Sequence, residues 1–335
     1  MKHVIFGWGA ALFIASSGAA TAQTELSYSP WNPPGYVVNQ AVFPWMEKVA
    51  EVTEGRVTIV PRATGVGAPQ DQFDAVRDGL VDVTLVVPGF NPGRFPLLEM
   101  GELPLLSSDA QELATVFNRY YEEHLAALKP FAGTQVLGVW AVAPAQLVAR
   151  NGYVETPGDL SGLKVRVANA GIAEGLTVLG AVPVRTPVSE AYAMVSSGAV
   201  DGMVMPFEPT VTWNLNQYLK YFTVVQGGLG QSTMALVVNE DKWNAISQED
   251  RDAIMAISGG ELASAVGGVV KAGEQAAMET LTASGVTFQD APAEMVTGLN
   301  EAFATIYQQW VAKAEAAGFA SAGEVLTEFR AEFAR

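Results

Sequence analysis

Short apolar runs rich in Val, Ile and Leu alternate with amphipathic stretches over the first part of the chain. The predicted strands cover residues 25–29, 57–62, 81–87 and 134–140, and the predicted helices cover 37–53, 70–78 and 110–128. Nearly continuous apolar strands are typical of parallel sheets whose two faces are covered by helices. The pattern therefore predicts a parallel α/β sheet with crossover helices.

The same alternation starts again at residue 146. The predicted strands are then 146–150, 164–168, 182–185, 200–205, 222–226 and 233–239, with helices at 172–179 and 189–195. No Gly/Ser-rich or Pro-rich linker separates the two series. We therefore expect an α/β protein with two domains joined by crossing strands and a cleft between them. We assign residues 23–143 plus 232–270 to domain 1, and 144–231 plus 271–335 to domain 2 with the C-terminal helices.

A long helical pattern follows residue 239. Ser247 is a suitable N-cap, and periodicity runs from 248 to about 283. Such a helix would be on the order of 50 Å long at 1.5 Å per residue, enough to brace both domains. Glycines such as Gly259 and Gly260 allow a bend or break. A strand at 286–289 and two helices within 292–335 complete the predicted elements.

The N-terminus has the pattern of a secretory signal. Lys2 precedes an apolar run at 4–14, and Ala20-Thr21-Ala22 precedes Gln23. The run is shorter than the ~20 residues that span a bilayer. We expect residues 1–22 to be a cleaved signal peptide, and the mature chain not to insert into a membrane.

Charge and composition exclude several functions. The 335 residues carry a formal net charge of -16, which argues against nucleic-acid binding because phosphate backbones repel an acidic chain. There is no cysteine, and His124 is the one histidine after the predicted signal. The sequence also has no G-x-S-x-G elbow, Walker loop, Rossmann glycine fingerprint or H-E-x-x-H. We therefore expect no metal, no cofactor and no enzymatic activity, with a secreted α/β hydrolase as the alternative of another class.

Candidate ligand contacts lie where predicted strands end, which is where open α/β sheets bind ligands. Arg166 is near the carboxyl end of its strand, and a guanidinium offers two parallel donors to a carboxylate. Aromatic, Met and amide side chains follow three other strands. The predicted ligand-binding residues are Arg166, Gln146, Arg150, Trp31, Asn32, Phe90, Asn91, Met205, Phe207, Glu208 and Trp213.

Three segments carry a family resemblance. Residues 156–167 (TPGDLSGLKVRV) resemble the "t-p-x-D-L-x-G-l-K-x-R-v" segment of DctP-type solute-binding proteins of TRAP (tripartite ATP-independent periplasmic) transporters. Residues 189–202 and 73–82 resemble two further blocks of that family. The resemblance implies a type II-like, two-domain periplasmic binding protein with a long helix spanning both domains. It also implies capture of an organic carboxylate, its delivery to membrane subunits, and a carboxylate-binding role for Arg166, the match to the signature arginine.

Two departures from sialic-acid-type members of that family bear on the ligand. Gln146 stands where those members have a second arginine, and Met205 stands where they have an asparagine. Both changes favour an acid with an apolar or aromatic body. Arg150 is a candidate to replace part of the lost charge. A zwitterion such as ectoine, with its positive end near Glu208 and the aromatic residues, and a sugar acid remain alternatives, as does service to an ATP-driven importer.

Overall fold

The computed structural model describes residues 23–334. The predicted signal peptide, residues 1–22, lies outside the described residues. The described chain forms two mixed β-sheets with helices packed on them, as expected for a two-domain α/β protein. The exact division into domains stays a prediction.

The first sheet has five strands in the order β2-β1-β3-β10-β4. They are β1 (Thr24–Ser29), β2 (Val57–Pro61), β3 (Val83–Val86), β4 (Thr134–Ala141) and β10 (Thr233–Asn239). β1 pairs in parallel with β2 and β3, as predicted. β10 is antiparallel to both of its neighbours, so the prediction of a wholly parallel sheet is wrong. The reason is that Thr233 pairs with Ala141, so β10 starts at the edge where β4 ends.

The second sheet has six strands in the order β11-β9-β5-β8-β6-β7. They are β5 (Gln146–Ala149), β6 (Lys164–Val167), β7 (Val182–Arg185), β8 (Gly202–Met205), β9 (Tyr221–Val224) and β11 (Thr287–Asp290). β5 is antiparallel to β8 and β9, whereas β6 is parallel to β7 and β8. Gln146 pairs with Met205, so β5 begins at the edge where β8 ends.

Two crossing segments, residues 142–145 and 225–232, connect the sheets. The N–H of Ala145 donates to Gly230 O at 2.7 Å, and the N–H of Val142 donates to Ser232 O at 3.0 Å. The carboxyl ends of β4 and β8 lie next to these two crossing segments. A cleft therefore forms where the strand ends of both sheets face each other.

Eleven α-helices lie in the described chain. They are α1 (Asn39–Val52), α2 (Gln72–Arg77), α3 (Ala110–Tyr120), α4 (Ala170–Val178), α5 (Ala191–Ser196), α6 (Phe207–Thr212), α7 (Glu240–Ala245), α8 (Gln248–Ala256), α9 (Gly260–Ala283), α10 (Ala293–Ala316) and α11 (Ala322–Glu332). The predicted helix over 110–128 is α-helical only to Tyr120, and a π turn and a 3-10 turn continue it to Leu128.

The long predicted helix is split into α8 and α9. Gly259 is the N-cap of α9 and has φ +55, a positive value that glycine adopts readily. α9 packs against α1, α3 and α6, so it contacts elements of both sheets. By length and composition Gln248–Ala283 could cross a membrane, but Leu262, Val266 and Val270 of α9 are buried in the protein core.

Helix α10 also joins the two halves. It packs on α4 and on the 3-10 helix Pro96–Glu102, which follows the first sheet's third strand. Trp310 is buried there, and its Nε1 donates to Pro96 O at 3.0 Å. Helices α9 and α10 thus fix the cleft from two sides.

Candidate ligand-binding site

A cavity lies between the two sheets, at the carboxyl ends of their strands. Its volume is about 590 Å³, and this figure includes the part that is open to solvent. The first sheet contributes the segments after β1 and β3, and the second contributes those after β6 and β8. The two crossing segments form its floor. Five of the predicted residues meet in its lining: Trp31, Phe90, Arg166, Met205 and Trp213.

Arg166 is the charged group of the cavity. It stands on β6 and is only 2% exposed. Its Nε donates to the carbonyl oxygen of Thr186 at 3.0 Å, and Nη2 donates to the same oxygen. Burial lowers the pKa of Arg166 to about 10, so it stays protonated at neutral pH, and Glu190 acts in the opposite direction. Within residues 23–334, Arg166 forms no ion pair and Nη1 has no hydrogen-bond partner.

Aromatic and apolar groups form most of the wall. The indole Nε1 of Trp31 donates to Leu85 O at 2.9 Å. The one polar atom of this side chain is therefore already paired with the backbone. The Trp31 ring meets Phe90 edge to face, with 6.2 Å between centroids. Met205 is buried at the end of β8. This wall offers a ligand mainly apolar contact.

Tyr36 and Gln231 line the cavity as well, and the sequence reasoning missed both. Tyr36 follows the Pro33-Pro34-Gly35 turn after β1, and extending the strand-exit rule beyond Trp31 and Asn32 would have found it. Its hydroxyl forms no hydrogen bond within the described residues. Gln231 lies in a crossing segment, where it donates to Gly101 O and Leu103 O. No local pattern signals such a residue.

Gln146 and Arg150 lie outside the cavity lining. The Gln146 amide pairs with Val225, whose N–H donates to Oε1 at 2.7 Å while Nε2 donates to Val225 O at 3.2 Å. The Arg150 guanidinium donates to Val195 O and lies 5.5 Å from the centre of the Tyr218 ring. A position on the same strand face therefore did not suffice to predict that a residue lines the cavity. The backbone of Val225 already satisfies the Gln146 amide, and Arg150 faces α5.

The other predicted residues also lie outside the lining. Asn32 accepts a hydrogen bond from Asn39 Nδ2 at 3.0 Å and orders the turn after β1. Asn91 borders a smaller neighbouring cavity with Arg185. Phe207 packs edge to face on Phe222, with centroids 5.0 Å apart.

Glu208 is buried behind the cavity wall. One of its carboxylate oxygens accepts from the Thr212 hydroxyl at 2.5 Å. The N–H groups of Phe207 and Glu208 donate to the Glu274 carboxylate at 2.9 Å each. Glu274 belongs to α9, so this contact ties the start of α6, which follows Met205 and Pro206, to the long helix.

The family model for bacterial extracellular solute-binding proteins, family 7 (DctP), matches residues 28–314. The chain belongs to this family.

Several relatives resemble this family 7 chain over nearly its whole length. A TRAP periplasmic solute-binding protein from Bordetella bronchiseptica, solved with bound (R)- and (S)-mandelate, has 32% identity and a TM-score of 0.88, covering 93% of this chain and 99% of that one. A TRAP solute-binding protein from Rhodoferax ferrireducens with copurified benzoate has 27% identity and a TM-score of 0.85, covering 93% and 98%. The outer membrane transporter protein TsaT of Comamonas testosteroni is 28% identical over 328 residues, 97% of this chain and 96% of that protein.

The family confirms the expected type of fold and function. Family 7 proteins are solute-binding receptors, and the two-sheet architecture with α9 against both halves agrees with the solved members. The resemblance of residues 156–167 to the family segment is thereby confirmed as a family relationship.

Proposed function

We propose that this protein binds a small carboxylate with an aromatic or otherwise apolar body in the cavity between its sheets. We further propose that it works in the periplasm and delivers the ligand to the membrane subunits of a TRAP transporter. The carboxylate would bind the free N–H groups of Arg166.

One observation carries the proposal: Arg166 is a nearly fully buried cation that forms no ion pair in residues 23–334, although Glu190 is near enough to raise its pKa. Burying a charge without a directly paired counter-charge is costly, and a buried guanidinium is well suited to two parallel hydrogen bonds with a carboxylate. Because Thr186 holds Nε and Nη2, the guanidinium is oriented before any ligand arrives. A ligand carboxylate would supply the missing negative charge.

The walls support an apolar ligand body. Trp31, Phe90, Met205 and Trp213 surround the space next to Arg166. Aromatic ligands would gain from burial and from edge-to-face ring contacts with these side chains. Mandelate and benzoate, the ligands bound to two relatives, are carboxylates with aromatic bodies, which agrees with this chemistry.

The alternatives receive less support from the lining. A sugar acid would bring several hydroxyl groups to walls that are mostly apolar. A zwitterion would bring a positive end to a cavity whose described lining contains no acidic residue, since Glu208 lies behind the wall. A hydrolase would need a nucleophile next to a base, and Ser232 has no histidine, carboxylate or lysine beside it in that lining.

Ligand capture would stabilise the closed arrangement of the two halves. Trp31 and Phe90 come from the first sheet, whereas Arg166 and Met205 come from the second. A ligand that touches both groups binds the closed state more tightly than the open state and shifts the population toward it.

Isothermal titration calorimetry of the purified protein tests the proposal. The titrants are benzoate, mandelate, glucuronate and ectoine, with Arg166→Gln as the matched variant that removes the charge. We expect an aromatic acid to bind most tightly and its affinity to fall at least ~100-fold in Arg166→Gln, as for a truncated buried charge pair. Tightest binding of glucuronate or ectoine, or an unchanged affinity in Arg166→Gln, would contradict the proposal.

A further inference from the structure

The polar groups of the ligand cavity are unevenly placed. Arg166 is the one charged side chain among the described residues that line it, and it belongs to the second sheet. Tyr36 approaches from the opposite side, after β1 of the first sheet. A ligand held by Arg166 and reaching across the cavity therefore meets a phenol.

The hydroxyl of Tyr36 is unpaired within the described chain. The residue is only 7% exposed, and the hydroxyl forms no hydrogen bond anywhere in residues 23–334. A tyrosine hydroxyl can donate one hydrogen bond and accept another, so this group is available to a ligand in the cavity. Burial and the nearby Glu208 and Glu274 carboxyls raise the pKa of Tyr36, so the phenol stays neutral and able to donate.

Two carboxyl groups lie directly behind this part of the wall. Glu274 accepts the N–H groups of Phe207 and Glu208. A Cβ placed on Gly273 would lie 2.7 Å from Val37 Cγ2 and 3.5 Å from Glu208 Cγ, so α9, the residue after Tyr36 and Glu208 converge at one point.

The segment that Glu274 holds borders the cavity. Pro206 and Pro209, on either side of the two residues that Glu274 caps, both line the cavity. The Glu208 oxygen Oε2 is buried with no hydrogen-bond partner in the described chain. No cation of the lining lies on this side to neutralise a second anion.

We propose that Tyr36 is a specificity-determining residue whose hydroxyl pairs with a hydroxyl group of the ligand, while the lack of a second cation in the described lining excludes a second anionic group. The ligand class is then a hydroxylated aromatic monocarboxylate. This inference rests on the proposed function, because Arg166 must hold the ligand's one carboxylate. A second carboxylate would lose its hydration in the mostly apolar cavity and gain no cation in return.

Calorimetric titration with matched ligands tests both parts. Benzoate is compared with the three monohydroxybenzoates and with mandelate. Isophthalate is compared with 3-carbamoylbenzoate, which has nearly equal size and a neutral amide in place of the second carboxylate. We expect at least one hydroxylated acid to bind about 3- to 10-fold more tightly than benzoate, as one neutral hydrogen bond allows. We expect isophthalate to bind at least ~10-fold more weakly than 3-carbamoylbenzoate, because its additional charge is buried without a partner.

A conservative variant assigns the hydroxyl preference to Tyr36. Tyr36→Phe should lose this preference, so that it binds benzoate and the hydroxybenzoates with affinities within about 2-fold of one another. A melting temperature near that of the wild type shows that the variant folds.

The outcomes separate this inference from the proposed function. A hydroxyl preference that survives in Tyr36→Phe, no hydroxyl preference in the wild type, or equal binding of isophthalate and its amide would overturn the specificity role. Benzoate binding that is lost in Arg166→Gln would leave the proposed function standing in each of those cases. Unchanged benzoate binding in Arg166→Gln would overturn both.

Discussion

The Arg166 guanidinium is held by the main chain of the neighbouring strand, since Nε donates to the carbonyl oxygen of Thr186 at 3.0 Å. Thr186 follows β7, the parallel partner of β6 on which Arg166 stands. The sheet therefore sets the direction of the guanidinium, and its remaining N–H groups stay free for a ligand. A rigid, pre-oriented donor set lowers the entropy lost on binding.

Met205 should determine the apolar character of the second-sheet wall. It is buried at the end of β8 and lines the cavity. Met205→Asn should weaken benzoate binding about 10-fold, because an amide without a partner costs about 1–3 kcal/mol when it is buried. Calorimetry measures the change, and Met205→Leu, which conserves volume, should stay within about 3-fold. Tighter benzoate binding by Met205→Asn would show that this wall is polar in the bound state.

Glu274 should support the site without lining it. Its carboxylate accepts the N–H groups of Phe207 and Glu208, which start α6 beside the cavity. Glu274→Ala leaves both donors unsatisfied and frees α6 from α9, so we expect the benzoate affinity to fall about 10-fold, roughly the cost of one or two lost hydrogen bonds. Gln275→Ala, at the exposed next position, is the control and should bind as the wild type does. Equal affinities of the two variants would exclude a positioning role.

Gly175 should be required by packing between α4 and α10. A Cβ at this position would lie 1.9 Å from Cε1 of Phe303, a fully buried ring. Gly175→Ala should lower the free energy of unfolding by about 1–3 kcal/mol, the usual cost of overpacking a core. Urea denaturation measures the change. Gly268→Ala on α9 meets only an ordinary 3.6 Å contact with Gln111, and it should be neutral or slightly stabilising.

Glu102 should make stability depend on pH. Burial raises its pKa to about 7, although hydrogen bonds from Thr233 oppose the shift. A carboxyl whose pKa is higher in the folded state stabilises the protein below the unfolded value near 4.5, and this contribution is lost as the pH rises through about 7.

Denaturation of wild type and Glu102→Gln at pH 5 and pH 8 measures this effect. The variant should gain stability relative to the wild type between these values, by on the order of 3 kcal/mol at most. Glu47→Gln, which removes an exposed carboxylate, should show no such change. A constant difference between wild type and Glu102→Gln across the range would show that Glu102 is ionised throughout.

Local sequence patterns predicted where the strands lie better than they predicted whether neighbouring strands run parallel or antiparallel. Apolar runs located the strands, because burial of both faces leaves a continuous signature. They could not show that β5 and β10 run antiparallel, since direction depends on where the chain re-enters each sheet. The break at Gly259 was allowed by the sequence but was fixed by its contact with Leu137, whose carbonyl oxygen accepts the Gly259 N–H at 2.7 Å.

Residues that line the cavity could be predicted from the sequence where their place depends on strand position. Arg166 and Met205 end strands that point at the cleft, and both line the cavity. Gln146 lies at the same sheet edge, but Val225 of the second crossing segment satisfies its amide. Such long-range pairing leaves no trace in local spacing, which is also why Tyr36 and Gln231 were missed.

A crystal structure of the purified protein with bound benzoate would show whether Arg166 holds the carboxylate. We expect the carboxylate within about 3 Å of the Arg166 guanidinium, in parallel hydrogen bonds. We also expect the ring to lie between Trp31, Phe90 and Trp213. A benzoate carboxylate bound elsewhere, for example at Lys271 in the groove on the other side of the crossing segments, with Arg166 left without a partner, would contradict this expectation.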